Sequence, residues 1–160
     1  MRVIGFNFTR LSTERFKEFI NSSKNINISF KNINKEEVEL LKNLDSIKIS
    51  FEYTLTHTES ENQTNEEKKP QTEKQLELNK ENKTQDLAKI TIEGNIVLAL
   101  PEVDSKEILK QWKKQEISPN FQVPLYNLIF KKCTPALVYL ADSINLPSPV
   151  PIQKIQPKQD

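Results

Sequence analysis

Two segments of the chain alternate apolar and polar residues so regularly that they constrain its fold more than any other feature. In the first, the apolar positions are Ile47, Ile49, Phe51, Tyr53 and Leu55. In the second they are Ile90, Ile92, Ile96 and Leu98, with Gly94 in the same phase. A period of two is typical of a strand with one buried face. Because the phase continues across Gly94, we predict a continuous strand with a bulge or a close backbone approach there, in preference to a hairpin turn.

A polar stretch separates these two segments. Residues 57–86 consist mainly of Glu, Lys, Gln, Asn and Thr, and their only large apolar side chains are Leu76 and Leu78. Such a stretch buries too little surface to offset the entropy lost on ordering. It also accounts for the low hydrophobic content of the chain, 36%. We therefore predict a single domain over residues 1–160, in which residues 57–86 form a disordered loop between two antiparallel strands.

The segments before the first alternating stretch add further elements. Alternation at Ile4, Phe6 and Phe8 predicts one strand, and alternation at Ile26, Ile28 and Phe30 predicts another. Short helices are predicted over residues 12–20 and residues 35–44, where apolar residues recur at helical spacing.

The C-terminal third has a helical period. Asp104 is followed at capping-box spacing by Glu107, which predicts a helix that ends near Ser118-Pro119. A second helix is predicted over about residues 123–133, and Thr134-Pro135 reads as the cap and first turn of a third. Residues 146–160 are proline-rich and predict an extended polyproline II tail. Together these elements predict an α+β fold, a four-stranded antiparallel sheet with C-terminal helices packed on one face.

The sequence shows no motif of a known kind of catalytic site. One cysteine and one histidine exclude a disulfide framework and an all-protein zinc site, and we expect no cofactor. His57 is predicted to be an exposed strand-end residue, and Cys133 a small buried hydrophobe. With Gly5 and Gly94 as its only glycines, the chain cannot carry a dinucleotide fingerprint, a P-loop or a nucleophile elbow in the usual forms. We expect a protein that is not an enzyme.

The charge and hydropathy of the chain limit its partners. The 23 basic residues nearly balance the 22 acidic ones, so a nucleic acid could be bound only through a local patch. The segment MRVIGFNFTRLSTERF lacks the apolar core of a signal peptide, and no run is long enough to span a bilayer. We expect a cytoplasmic protein that does not insert into a membrane.

Two segments are candidates for partner binding. The first is a set of lysines on the predicted helices near Trp112, namely Lys110, Lys113, Lys114, Lys131 and Lys132. It would be either a surface for RNA or the ribosome, or a solvated face beside a half-buried tryptophan. The second is in the tail and consists of Pro147, Pro149, Pro151 and Ile152. The tail would either bind a groove on another protein or cover part of its own domain.

The layout of residues 46–152 resembles the SecB-like proteins, which keep unfolded polypeptides competent for export. The segments that carry the resemblance are SIKISFEYTLT, AKITIEGNIVLAL and VPLYNLIFKKCTPALVYLADSINLPSPVP. The closing pattern of Asn127, Cys133, Ala136-Leu137 and LPSPVP is also similar to small uncharacterised archaeal proteins. The SecB-like resemblance implies an α+β fold, no catalysis, assembly into homo-oligomers that are usually tetramers, and apolar grooves that bind client chains.

Two functions follow as expectations. The first is a non-enzymatic binding protein, a SecB-like chaperone that holds unfolded or nascent polypeptides and oligomerises through its remaining apolar surface. The alternative is a ribosome- or RNA-associated factor that docks through the lysine surface.

Overall fold

Four strands followed by two helices make up the part of the chain that the structure describes. The computed structural model describes residues 2–18, 22–36, 38, 44–59 and 86–151. The strands are β1 (Arg2–Arg15), β2 (Ser22–Glu36), β3 (Asp45–Glu59) and β4 (Asp86–Leu100). The helices are α1 (Glu102–Lys113) and α2 (Pro119–Ser143). The α+β architecture predicted from the sequence is confirmed.

The strands form one antiparallel sheet in the order β1-β4-β3-β2. The two alternating segments are its central strands, and they pair with Phe51 opposite Gly94. β1 pairs with the other side of β4, and β2 with the other side of β3. The two strands predicted from the first thirty residues are therefore the edges of the sheet.

The core lies between one face of this sheet and the helices. The apolar rows of β3 and β4 point toward the helices and are buried along their whole length. α2 contributes a buried residue about once per turn: Phe121, Leu125, Ile129, Cys133, Leu137 and Ala141. Each large apolar side chain removed from water contributes about 1.5–3 kcal/mol. The prediction that Cys133 is a buried hydrophobe is confirmed.

Gly94 allows an aromatic ring to pack against the middle of the sheet. A Cβ atom at this position would lie 2.6 Å from the backbone oxygen of Asn7 and 2.7 Å from Cζ of Phe51. Both distances are shorter than any ordinary carbon contact. β4 passes through Gly94 without a turn, which confirms the predicted continuous strand with a close backbone approach.

Both short helices predicted before β3 are wrong where the structure describes them. Residues 12–15 continue β1, with Thr13 opposite Ile90, and residues 35–36 continue β2, with Lys35 opposite Ile47. Pairing with a long central strand outweighs the local helical spacing at these positions. The remainder of the second helix falls largely on residues 37 and 39–43, which lie outside the described residues, as do residues 19 and 20 of the first.

The helix boundaries in the C-terminal third also differ from those predicted. α1 begins after Pro101, so Asp104 lies inside its first turn and does not cap it. The predicted second and third helices are one continuous helix that contains both Pro124 and Pro135. The Thr134 hydroxyl donates to the carbonyl of Phe130 at 2.6 Å inside this helix, so Thr134 does not act as an N-cap.

The boundaries of the predicted loop are shifted inward. Residues 57–59 belong to β3 and Asp86 to β4, while residues 60–85 lie outside the described residues. The prediction that His57 is exposed is wrong, because its exposed fraction is 0%. β3 continues past His57, and the histidine side chain follows the phase of the buried row.

Candidate functional site

The two faces of the sheet differ in character. On the face away from the helices, Lys31 pairs with Glu52 at 3.1 Å and Arg10 with Glu93 at 3.6 Å. The Ser50 hydroxyl donates to Oδ1 of Asn95 at 2.8 Å on the same face. On the helix side, by contrast, the edge strands carry exposed apolar residues in register with the buried rows, namely Val3, Phe8 and Leu11 on β1 and Ile26 on β2.

A groove of about 360 Å³ lies between β2 and the junction of α1 with α2. We call it the β2 groove. Its apolar lining consists of Ile28, Phe30, Trp112, Ile117 and Tyr126. Its polar lining consists of Ser29, Gln115 and Gln122. The groove therefore combines aromatic surface with the amide side chains of Gln115 and Gln122, which can hydrogen-bond a peptide backbone.

Aromatic packing holds the walls of the β2 groove in place. The rings of Phe30 and Tyr126 are stacked, with centroids 5.1 Å apart and planes inclined by 10°. One turn further along α2, Phe130 meets the buried Tyr53 edge to face at 6.0 Å. Such aromatic pairs contribute about 0.5–1.5 kcal/mol beyond the area that they bury. They fix the N-terminal half of α2 above β2 and β3.

The turn between the helices brings Trp112 to the same groove. Gln115 adopts a left-handed conformation with φ of 59°, and its N–H donates to the carbonyl of Trp112 at 2.9 Å. The backbone N–H of Ser118 donates to the side chain of Gln111 at 3.0 Å. These bonds end α1 and start α2 within a few residues. Trp112 is half-buried against the core as a result.

Apolar surface continues from the β2 groove along the edge of the sheet. Ile26 lies on the same face of β2 as Ile28 and is 40% exposed, and Phe130 is 43% exposed. Two residues before Ile26, Nζ of Lys24 donates to the carbonyl of Ser148 at 2.7 Å. The segment after α2 is therefore held to β2 near one end of this apolar surface.

A second apolar surface lies on β1, which we call the β1 row. It consists of Val3, Phe6, Phe8 and Leu11, all in register with the buried row of β4. Phe6 and Phe8 meet edge to face at 5.4 Å, and Phe6 also contacts Phe51 at 5.5 Å. Val3, Phe8 and Leu11 are 39–48% exposed despite facing the helix side.

The predicted lysine surface is split between the two helices. Lys110, Lys113 and Lys114 lie at the C-terminal end of α1, where their positive charges interact favourably with the helix dipole. Lys131 and Lys132 lie midway along α2. All five are exposed. Binding of a partner by these lysines stays a prediction.

The tail residues singled out from the sequence are described only in part. Pro147 and Pro151 are exposed and Pro149 is half-buried, while Ile152 lies outside the described residues. Leu146, just before them, is buried and its N–H donates to the carbonyl of Ala141 at 2.9 Å. This contact anchors the start of the tail at the end of α2.

Two core groups with ionisable side chains, Cys133 and Tyr53, have raised pKa values. Burial raises the pKa of Cys133 to about 12, so its thiolate form is disfavoured. Burial and the neighbouring Cys133 raise the pKa of Tyr53 to about 12. Within the described ranges, no three His, Cys, Asp or Glu side chains are grouped as a metal site. The same residues contain no helix of the length and hydropathy needed to cross a bilayer.

Comparison of the chain with protein-family models, with curated proteins and with solved structures finds no match. The resemblance to SecB-like proteins therefore stays a prediction.

Sequence reasoning identified Trp112 but not the residues that complete the β2 groove with it. Phe30 could be assigned only to a strand, and Tyr126 only to a helix. Their stacking depends on β2 being an edge strand below α2, and no local pattern carries that information. The sequence does not indicate that the strand containing Ile26 lies at the edge of the sheet, and this is the information needed to link Phe30 with Tyr126.

Proposed function

We propose that this protein is a non-enzymatic binding protein that holds extended segments of unfolded or nascent polypeptide in the β2 groove. Its place would be the cytoplasm, and its role that of a SecB-like chaperone. The observation that carries the proposal is an open aromatic groove beside an edge strand, formed by Phe30, Trp112 and Tyr126.

The chemistry of the groove suits an extended chain of loosely defined sequence. Aromatic and aliphatic surface gains free energy from any apolar side chain, at about 25 cal/mol per Å² buried. The side chains of Gln115 and Gln122 can hydrogen-bond the polar backbone of the client. β2 also lies at the edge of the sheet, where an added strand can pair with it. Affinity would come from apolar side chains and backbone bonds common to all polypeptides.

Homo-oligomerisation would use the opposite edge of the sheet. The β1 row is symmetric about Asn7, because Phe6 and Phe8 lie one residue from it and Val3 and Leu11 lie four residues from it. When two β1 strands pair antiparallel about Asn7, Phe6 lies opposite Phe8 of the second copy and Val3 opposite Leu11. An isologous interface of this kind would cover the exposed row in both copies and remove two sheet edges.

An aggregation assay tests the proposed function. We expect the protein, at a stoichiometric ratio, to suppress the aggregation of a chemically unfolded client. Trp112→Gln should weaken this suppression, because it removes the largest apolar side chain of the groove. Tyr139→Gln is the matched control, since Tyr139 is 73% exposed on α2 and lines a separate groove with Pro135 and Val138. No suppression by the parent protein, or equal loss in both variants, would contradict the proposal.

A ribosome- or RNA-associated factor is the second candidate. The observation that favours it is the exposure of Lys110, Lys113, Lys114, Lys131 and Lys132 on the helices. It predicts cosedimentation with ribosomal particles that weakens steeply as salt rises, because released counterions drive such binding. Absence of cosedimentation at low salt would remove this candidate.

A further inference from the structure

We propose that residues 152–160 of this chain bind in the β2 groove of the same molecule and compete with client polypeptide. This inference rests on the proposed function, because it assigns a regulator to the same groove. In the absence of client, the occupant of the groove is the chain's own C-terminal segment.

The described chain is held beside β2 shortly before this segment begins. The bond between Lys24 and the carbonyl of Ser148 places the chain over the helix side of β2. From Lys24 the groove residues Ile28 and Phe30 lie four and six positions along the strand, a distance of about 13 to 20 Å. Nine residues, 152–160, follow the last described residue, and in polyproline II form they extend about 28 Å. The segment is long enough to run the length of the groove.

The side chains of the segment match the surface of the groove. A polyproline II helix has about three residues per turn, so residues three apart lie on one face. Pro149, Ile152 and Ile155 have this spacing, so in that conformation they would share one face, which we call the apolar stripe. Proline-rich segments bind aromatic-lined grooves in this manner, because little conformational entropy remains to be lost. The lining of Phe30, Trp112 and Tyr126 is such a groove.

The surface along the route is also apolar. Ile26 and Phe130 lie between Lys24 and the groove residues, and each is about two-fifths exposed. A chain that crosses them on its way to Ile28 covers both. A single occupant would therefore account for the exposed apolar residues on the helix side of β2.

Fluorescence of Trp112 tests the proposal in the full-length protein, because Trp112 is the only tryptophan. The test variant is Ile152→Asp/Ile155→Asp, which places charge on the stripe. The control is Gln153→Asp/Gln156→Asp, which adds the same charge off the stripe. In the stripe variant we expect red-shifted emission and stronger quenching by acrylamide. The control should match the parent protein.

A synthetic peptide of residues 149–160 provides the second arm. Added to the stripe variant, it should reverse the shift saturably, whereas the same peptide with both isoleucines replaced by aspartate should not. The parent's emission should be constant on dilution, because binding within one molecule does not depend on concentration. Identical emission and quenching in all three proteins would overturn the proposal. So would a shift in the parent on dilution, which would indicate exchange of the segment between copies.

Client titrations separate this inference from the function on which it rests. If the segment occupies the groove about 90% of the time, the stripe variant should bind an unfolded client peptide about tenfold more tightly than the parent. Equal client affinity in the two proteins would overturn the inference and leave the function standing. Loss of client binding in both, with the Trp112 shift intact, would overturn the function alone.

Discussion

Among single residues, His57 shows how far the fold departs from local sequence signals. It has an exposed fraction of 0%, and its Nδ1 lies 3.3 Å from the hydroxyl of Ser22. Burial first, and the charge of Lys24 second, lower its pKa below the usual value of 6.5. The alternation predicts which side chains of β3 share a face, and His57 follows it. Its burial could not be predicted, because that depends on how far β3 stays paired and covered.

The lowered pKa of His57 makes stability depend on pH. The unfolded chain binds a proton at His57 near pH 6.5, whereas the folded protein binds it only at lower pH. Stability should therefore fall as pH falls below about 6.5. Urea unfolding at about pH 7.5 and about pH 5.5 measures the change. Both pH values lie above the ordinary titration range of carboxylates, so His57 should dominate the difference.

His57→Leu is the variant that isolates this effect. The free energy of unfolding of this variant should vary less between the two pH values, because the substitution removes the only histidine of the chain. An unchanged pH dependence in His57→Leu would contradict the assignment.

Gly94 and Gly5 give a matched pair of substitutions. A Cβ at position 94 would lie 2.6 Å from the Asn7 backbone oxygen, whereas at position 5 its nearest contact is 3.4 Å from Cβ of Val97. We expect Gly94→Ala to lower the free energy of unfolding by about 1–3 kcal/mol through overpacking. Gly5→Ala should change it by less than about 1 kcal/mol. Chemical denaturation measures both, and equal effects would show that the close approach at Gly94 is not real.

Among the elements, α2 departs most from prediction. Proline at positions 124 and 135 indicates helix starts, yet both lie inside one helix. Its buried stripe from Phe121 to Ala141 is continuous across Pro135. Burial of that stripe against β3 and β4 outweighs the cost of the backbone donor that proline lacks. The sequence alone does not show which of these two free energies is larger.

Pro135→Ala tests this account of α2. Alanine would supply the backbone N–H that proline lacks for the carbonyl of Lys131 and would remove the clash of the ring with that turn. Interior proline costs about 3 kcal/mol in a helix, so we expect the variant to gain about 1–2 kcal/mol in stability after structural relaxation. Thermal unfolding measures the gain. A loss of stability would indicate that the proline fits the helix without strain.

For the molecule as a whole, the alternation in two segments predicts the central strands, their antiparallel pairing and the helix-covered face. The strand order and the packing of α2 above β2 arise from contacts distant in sequence. For this reason the sequence predicts the alternating residues of β3 and β4 correctly, but it does not predict the contact between Phe30 and Tyr126. The β1 row depends on the register of β1 against β4, in which two irregularities bring Val3 and Leu11 to the same face as Phe6 and Phe8.

Assembly through the β1 row is testable by sedimentation. Phe8→Lys should convert the proposed dimer to monomer, because it places a charge opposite Phe6 of the second copy. A buried aromatic of this kind contributes about 2 kcal/mol or more, so the dissociation constant should rise about thirtyfold or more. Phe16→Lys is the control, since Phe16 is 54% exposed but lies beyond the end of β1. A parent protein that sediments as a monomer would contradict the proposed interface.

Site-specific crosslinking to an unfolded client tests the central claim most directly. A photoreactive phenylalanine analogue replaces either Tyr126, in the β2 groove, or Tyr139, in the separate groove on α2. Both proteins are irradiated with an excess of client held unfolded, and crosslinked product is measured by gel. We predict strong crosslinking from position 126 and little from position 139. Equal yields at the two positions, or none at position 126, would contradict a polypeptide-binding role for the β2 groove.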